Sequence, residues 1–231
     1  TMPASWAAFE GQLIPTYAAD ESWGPRLEGQ MVRHWDSWIA NDPEFGQLRA
    51  WTPNENNIKD FYQTGTLKNN SLSFEKGGED YSIRSTITKI DQEAIIENTK
   101  RTTSIFSINA DYNITEKLKF NTVMNYTKRF TFNDPDNSYG NLGSNFNQWW
   151  QRQIDIDRLR EYKRNGEPVS WNIASPTNSK PAYWNSPFFV VYENTKEQYK
   201  NAIYGIVGLT YDFNEDLVAN VSFKKSYNDY N

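Results

Sequence analysis

The sequence predicts an all-β chain, a transmembrane antiparallel β-barrel of which these 231 residues supply about six strands and long extracellular loops. Apolar and polar residues alternate in six segments of about ten residues or more, near the roughly 9 to 11 that a tilted strand needs to cross a bilayer. Tight and long connections alternate between them, as in outer-membrane barrels. Only 37% of residues are hydrophobic, yet 16% are aromatic, which suits a wall that needs apolar side chains at alternate positions.

Four of the predicted strands lie within residues 68–130. Their apolar sides, in chain order, are Leu72 and Phe74; Tyr81, Ile83 and Ile87; Phe106, Ile108, Ala110 and Tyr112; and Leu118, Phe120, Met124 and Tyr126. The opposite sides are mostly Ser, Thr and Asn. Residues 77–80 (GGED) and 114–117 predict tight turns, whereas 91–101 is a longer connection.

Two further strands are predicted within residues 198–231, joined by a tight turn at 214–216. The apolar side of the first is Ile203, Val207, Leu209, Tyr211 and Phe213, interrupted by Asn201 and Gly205, and that of the second is Leu217, Ala219, Val221 and Phe223. Successive connections of an antiparallel barrel lie on opposite sides of the membrane, and here tight and long connections alternate. The three tight turns are therefore assigned to the periplasm. Residues 1–67, 91–101 and 131–197 are predicted to face outward, and 131–197 carries a short helix because Phe146, Trp150 and Ile154 recur at helical spacing within 145–163.

Rings and charges on the apolar sides fit a membrane. Five aromatic residues fall close to tight turns, where an interfacial girdle would place them, although aromatic residues also favour strands in general; they are Tyr81, Tyr112, Phe120, Tyr211 and Phe213. Lysine is expected on these sides only toward strand ends, at Lys89, Lys128 and Lys225. There it costs roughly 0 to 1 kcal/mol, against about 2 to 4 at the midplane.

Composition excludes several classes of protein. The net charge is −5 with scattered Lys and Arg, which argues against nucleic acid as a partner. Cysteine is absent, so disulfides and thiol chemistry are excluded. A stretch of 18 apolar residues is also absent, which excludes a membrane-spanning helix. Because six strands cannot close a membrane barrel, we expect the chain to be part of a longer protein, with any signal peptide upstream.

Several strings resemble the SusC/RagA family of TonB-dependent outer-membrane transporters. Residues 20–30 (DESWGPRLEGQ) are similar to the family's ESWGPR-x-DG loop, and 60–65 (DFYQTG) with 69–73 (NNSLS) and Gly77-Gly78 resemble DFF-x-TG…N-x-S-x-S…GG. Residues 91–99 (DQEAIIENT) resemble DQKGIIPNT, and 184–189 loosely resemble its NPYW-type segment. The chain departs at Glu28, where Asp is usual, and at Ala94 and Glu97, which replace Gly and Pro.

The resemblance covers most of residues 20–228 and implies a barrel of about twenty-two strands, an N-terminal plug with a TonB box, and a SusD-like lipoprotein over the outer mouth. It implies import of oligosaccharides or peptides across the outer membrane. The plug and the other strands lie outside this chain. The residues that carry the family signature, for which we predict structural roles, are Trp23, Gly24, Pro25, Arg26, Gly29, Asp60, Phe61, Gly65, Asn69, Gly77 and Gly78.

Loop tryptophans are the candidate contacts for a ligand or a lid. Trp149, Trp150, Trp171 and Trp184 could stack on sugar faces or pack on a partner, and packing within the loop is equally consistent with the sequence. In Trp23-Gly24-Pro25-Arg26 we expect the ring and the Gly-Pro turn to pin a long outer loop.

Metal binding and catalysis find little support. Residues 134–137 (DPDN) lack the spaced acidic residues of a calcium loop, and the single histidine, His34, has no Cys or His companion. Asp155 and Asp157 could serve glycoside hydrolysis, but nearby Arg158, Arg160 and Lys163 favour a salt-bridged surface. We therefore expect no cofactor and no enzymatic activity. The alternatives to transport are a secreted carbohydrate-binding β-sandwich and, third, a surface enzyme.

Overall fold

A computed structural model describes residues 7–9 and 11–231. The strands are β1 Ala7–Phe9, β2 Gln12–Ile14, β3 Met31–Val32, β4 Arg49–Ala50, β5 Thr66–Gly77, β6 Tyr81–Glu93, β7 Lys100–Asn113, β8 Leu118–Phe132, β9 Lys163–Arg164, β10 Glu167–Pro168, β11 Ile173–Ser175, β12 Asn178–Pro181, β13 Glu197–Asn214 and β14 Leu217–Tyr230. The helices are α1 Leu142–Ser144, which continues as a π-turn over Asn145–Trp149, α2 Pro187–Glu193, and 3-10 turns at Trp35–Trp38, Lys59–Phe61 and Asp157–Leu159.

The chain divides into two compact units. The loop unit comprises Thr1–Gln63, Ile96–Asn98 and Pro135–Thr195, and the sheet unit comprises Thr64–Ile95, Thr99–Asp134 and Lys196–Asn231.

The sheet unit is one antiparallel sheet in the order β14-β13-β8-β7-β6-β5. The six predicted strands and their antiparallel pairing are therefore confirmed, as is the all-β class. The strands are longer than predicted: β6 and β7 pair as far as Glu93 and Lys100, so the connection predicted at 91–101 shortens to 94–99. The extra residues are polar on both sides of the strand, so hydrophobic alternation could not reveal them.

The loop unit folds around its own hydrophobic core. It contains four short two-stranded ribbons, β1-β2, β3-β4, β9-β10 and β11-β12, and a cluster of buried aromatic and aliphatic side chains. Phe61 lies in this cluster with no exposed surface, and its ring contacts those of Phe146 and Phe188 at centroid distances of 5.0 and 5.3 Å.

The helix predicted within residues 145–163 is only partly present. Helical turns run from Leu142 to Trp149, and the backbone becomes extended at Trp150, with φ −95° and ψ 137°. Phe146, Trp150 and Ile154 are nevertheless all buried in the core cluster. Their spacing therefore reflects shared burial and not a continuous helical face. Within residues 7–9 and 11–231, every helix is too short or too polar to traverse a lipid bilayer.

Candidate membrane-facing surface and loop cleft

One face of the sheet, called here the apolar face, gathers the hydrophobic side chains of all six strands. Cross-strand register arranges them in rows, each row holding residues that lie directly opposite one another. Successive rows are Leu72-Ile87-Phe106-Tyr126-Ile203-Tyr227; Phe74-Ser85-Ile108-Met124-Gly205-Lys225; Lys76-Ile83-Ala110-Thr122-Val207-Phe223; Tyr81-Tyr112-Phe120-Leu209-Val221; and Leu118-Tyr211-Ala219. These rows extend about 27 Å along the strands, or about 20 Å across a membrane after the usual barrel tilt, near the apolar band of about 25 Å.

One polar row bounds this band on the side away from the tight turns. The row that follows Leu72 and Ile87 is Asn70-Lys89-Ser104-Lys128-Asn201-Asp229. Lys89 and Lys128 therefore lie just outside the band, where charge is tolerated near a lipid interface.

Two lysines lie inside the band, contrary to the expectation that lysine occurs only toward strand ends. Lys225 shares a row with Ile108 and Met124, and Lys76, which the sequence analysis overlooked, pairs with Ile83. Both are on the outermost strands, β14 and β5. A long lysine side chain can extend along the surface and keep its ammonium group in a polar layer.

The opposite face, called here the polar face, carries mainly hydroxyl and amide side chains. Cross-strand hydrogen bonds join Ser71 to Thr88 at 2.6 Å, and Ser107 donates to the Asn125 side-chain oxygen at 2.6 Å. The larger apolar and aromatic residues that interrupt this face are Leu67, Ile90, Ile105, Val123, Tyr204, Ile206, Val218 and Tyr230. Such a surface suits contact with water.

No hydrophobic residue of the sheet unit is buried within the described part of the chain. Leu72 and Val221 are 75% and 73% exposed, and the buried hydrophobic residues all belong to the loop unit. Exposing a large aliphatic side chain to water forfeits about 1.5 to 3 kcal/mol relative to burying it. A contiguous apolar surface of this size is the mark of an interaction surface.

The sequence matches no protein-family model, and no curated protein is similar to it.

A cleft of about 420 Å³ in the loop unit is bordered by residues 22–28, which contain the Trp-Gly-Pro-Arg element, and by Trp51 and residues 151–153. Hydrogen bonds from the backbone and from side chains hold the border of the cleft in place. The Trp51 Nε1 donates to the Pro25 carbonyl at 3.3 Å, and the Gly29 N–H donates to the Trp51 carbonyl at 3.0 Å. Gly29 has φ +87°, which an L side chain rarely adopts.

The Trp23 ring does not pin the loop, contrary to the sequence-based expectation. Its side chain is 77% exposed at the rim of the cleft. The loop is held instead by Ser22, whose hydroxyl donates to the Gln148 carbonyl at 2.7 Å, and by the Gln151 amide, which donates to the Ala19 carbonyl at 3.2 Å. Trp23 is thereby free to contact a ligand or partner.

Trp150 and Trp171, predicted as candidate ligand or lid contacts, are core residues. Each is only 3% exposed, and their rings meet edge to face at 5.4 Å. The Trp150 Nε1 donates to the Asn57 side-chain oxygen at 2.8 Å. Side chains so fully enclosed offer no surface to a ligand, so the prediction is wrong for these two.

Trp149 and Trp184 form a half-buried stacked pair. Their ring centroids are 6.3 Å apart with an interplanar angle of 25°, and the Trp184 Nε1 donates to Asp20 at 2.8 Å. Tyr139, which is largely exposed, meets the Trp149 ring edge-on at 6.3 Å. This pair keeps partial surface, so ligand or lid contact stays a prediction for both residues.

The remaining signature residues have local structural surroundings. The Asp60 carbonyl accepts from Arg160 at 2.7 Å, next to the fully buried Phe61. A Cβ at Gly65, the residue before β5, would lie 3.1 Å from the Glu93 carbonyl oxygen, so glycine suits this close approach to the end of β6. Asn69 lies on the polar face of β5, and Gly77 and Gly78 lead into the β5-β6 turn.

A buried charge network, which the sequence analysis missed, links distant segments of the loop unit. The Asp36 and Asp42 side chains are fully enclosed; Asp36 pairs with Arg49 and Arg158, and Asp42 pairs with Arg158 at 2.7 Å and with Arg164. Burial lowers the pKa of Arg164. Because these partners are up to 122 residues apart in sequence, no local sequence pattern predicts the network.

Asn57 and Asn172 are two further buried anchors of the loop unit. Asn57 donates to the carbonyls of Ile154 and Gln151, at 2.6 and 3.1 Å. Asn172 donates to the Tyr17 carbonyl at 2.9 Å and accepts from the Tyr183 N–H at 2.8 Å. Each thus satisfies backbone groups of segments distant in sequence.

The candidate catalytic and metal residues are not assembled into a site. Asp157 pairs with Arg160 at 2.8 Å, and Asp155 accepts a hydrogen bond from the Asp157 N–H at 3.1 Å. These carboxylates therefore make local contacts within a turn. His34 is buried beside Trp51, at a ring distance of 5.5 Å, and burial followed by the charge of Arg49 lowers its pKa. The described residues contain no group of three potential metal ligands.

Proposed function

We propose that the sheet unit is a segment of the wall of an outer-membrane β-barrel, with its apolar face against lipid and its polar face toward a wet lumen. The observation that carries this proposal is the band of exposed apolar rows on one face of the sheet, bounded by a polar row on the side away from the tight turns. Strands of 12 to 18 residues are long enough to cross a bilayer with tilt.

We propose further that the complete protein is a TonB-dependent transporter of the SusC/RagA type, located in the Gram-negative outer membrane. It would import oligosaccharides or peptides together with a SusD-like surface lipoprotein. Energy would reach it through TonB acting on a plug outside this chain. The chain itself performs no covalent chemistry in this scheme. The support is the set of signature strings, together with the exposed Trp23 and the Trp149-Trp184 pair as surface for substrate or lid.

The alternative of a secreted carbohydrate-binding β-sandwich requires a second sheet packed on the apolar face. The sheet unit contains a single sheet, and Leu72, Val221 and Phe223 on that face are exposed. Strands in sandwiches are also commonly shorter than these. Both observations favour lipid as the neighbour of this face.

Site-directed spin labelling of the full-length protein in lipid vesicles tests the membrane placement. Labels at Ile108, Val207 and Val221 are expected to be accessible to oxygen and protected from a water-soluble nickel reagent. Matched labels at Ser107 and Thr210, on the polar face of the same strands, should show the reverse order. Nickel accessibility equal on both faces would refute the barrel proposal.

Uptake tests the transport function separately. Cells that carry the intact system should take up a bulky oligosaccharide or peptide, and deletion of TonB should abolish that uptake. Unchanged uptake without TonB would exclude the transporter proposal even if the labels report lipid.

A further inference from the structure

A cavity of about 470 Å³ opens on the polar face of the sheet, at the end away from the tight turns. Its lining brings together three cations, Arg101 on β7, Arg129 on β8 and Lys200 on β13. Tyr230 on β14 closes one side, with the Lys200 ammonium 4.9 Å from its ring centroid.

The register opposes two of these cations directly. Arg129 pairs with Lys200 across β8 and β13, so both side chains leave the same face at neighbouring positions. Arg101 pairs with Thr131, two residues from Arg129. Like charges placed directly opposite each other destabilise a sheet. Such an arrangement requires something to offset the repulsion.

Counter-charge from the protein is insufficient. Asp134 pairs with Arg101 at 3.2 Å, but no ion pair reaches Arg129 or Lys200 within the described residues. The polar-face rows on either side are uncharged apart from Arg101: they are Leu67-Gln92-Arg101-Thr131-Gln198 and Ser71-Thr88-Ile105-Thr127-Ala202-Asn228. Three positive charges thus face one carboxylate.

An unused hydrogen-bond donor lies at the same place. The Nε of Arg129 is shielded from solvent and finds no acceptor among the described residues. A shielded donor on a charged group is destabilising when it lacks an acceptor. An oxyanion would supply both the missing acceptor and the missing negative charge, and the guanidinium fork matches carboxylate and phosphate oxygens.

We propose that this cavity is a binding site for an oxyanion, the carboxylate or phosphate group of a bound molecule. Arg129 and Lys200 hold the anion, and Arg101, shared with Asp134, adds a third positive charge. The identification of that molecule as the imported substrate rests on the proposed function, and it would make the substrate an acidic oligosaccharide or peptide. The anion site itself depends only on the sheet.

Titration calorimetry of the full-length protein in detergent tests the site. The probes are inorganic phosphate and acetate, and glucose is the neutral comparison. Binding of at least one anion and none of glucose is expected. Arg129→Gln and Lys200→Gln should each weaken anion binding by about tenfold or more, as expected from loss of a charged hydrogen bond of about 1.5 to 3 kcal/mol. Lys224→Gln, which removes a polar-face cation opposite Ile206, in the middle of β14 and outside the cavity lining, should leave anion binding unchanged.

Melting temperature separates binding from a structural role. Without anion, Arg129→Gln should melt at or above the wild-type temperature because it relieves the opposition to Lys200. Phosphate or acetate should raise the melting temperature of the wild type and of Lys200→Arg by more than that of Lys200→Gln. Absence of anion binding by the wild type, or binding by both glutamine variants as tight as that of the wild type, would overturn the proposal. Anion binding in a protein whose spin labels report water would refute the importer and leave the site standing.

Discussion

The two units of this chain use the same kinds of side chain in opposite ways. The loop unit encloses Phe61, Trp150 and Leu159 in a core of its own, whereas the sheet unit leaves Leu72, Val221 and their neighbours exposed. A loop region would ordinarily be the less well-packed of the two. The contrast teaches that the loop unit has a hydrophobic core of its own, whereas the described chain buries none of the hydrophobic residues of the sheet unit.

Polar groups follow the same division. The loop unit encloses Asp36, Asp42 and Asn57 and gives each several partners. The sheet unit instead places Ser, Thr and Asn on a face open to water, joined by bonds such as that between Ser73 and Thr86 at 2.9 Å. Substitutions in the loop unit and in the sheet unit should therefore change the free energy of unfolding for different reasons, and comparing them tests this contrast.

Replacement of Phe61 by alanine should have the largest effect. The ring is fully buried among Phe146, Phe188 and Tyr62, so its loss should cost about 3 to 5 kcal/mol of unfolding free energy. Chemical denaturation of the full-length protein, followed by tryptophan fluorescence, measures this loss. Phe45→Ala, at an exposed position of the same unit, should cost far less. Similar losses for both variants would show that the loop unit lacks an independent core.

Charge scanning on β7 should have the next largest effect. Ile108→Arg places a cation within the apolar band and should cost about 2 to 4 kcal/mol if that face meets lipid. Ser107→Arg, its neighbour on the polar face, should cost about 1 kcal/mol, the worth of its bond to Asn125. Folding into lipid vesicles, followed by the heat-modifiable gel shift of membrane barrels, compares the two variants. A greater loss for Ser107→Arg would reverse the assignment of the faces.

Acidification should destabilise the loop unit moderately through His34. Its pKa is lowered in the fold, so the unfolded state binds the proton more readily. The stabilising contribution is complete above the ordinary value of about 6.5 and is lost as the pH falls from there toward the lowered pKa. Melting temperatures between pH 7.5 and pH 5 should decline more steeply for the wild type than for His34→Gln. Parallel declines would mean that His34 is protonated equally in both states.

Replacement of Trp23 by alanine should have the smallest effect on stability. Because the ring is 77% exposed, the unfolding free energy should change by no more than about 0.5 kcal/mol. Trp150→Ala should instead cost about 3 to 5 kcal/mol because that ring is in the core. If Trp23 contacts substrate or lid, its variant should lose uptake or partner binding at unchanged melting temperature. A melting temperature lowered as far as that of Trp150→Ala would show that Trp23 packs in the intact protein.

Period-two alternation was enough to predict the six strands, their faces and the tight turns, because a pleated backbone sends successive side chains to opposite sides. It failed at the polar strand ends, such as Asp91 to Glu93, where both sides are hydrophilic. Helical spacing at Phe146, Trp150 and Ile154 marked burial correctly but suggested too long a helix. The exposed Trp23 and the enclosed Trp171 could not be told apart from sequence, since the same residue type serves either role.

By itself, the sequence determined the all-β class, the antiparallel strands and the separation of apolar from polar faces, all of which follow from local spacing. The tertiary structure alone decided which residues meet across strands and loops. It set Arg129 beside Lys200, 71 positions away (200 − 129), and closed Asp36 against Arg158. Such pairings depend on register and on the path of the whole chain, and single-strand periodicity carries no information about either.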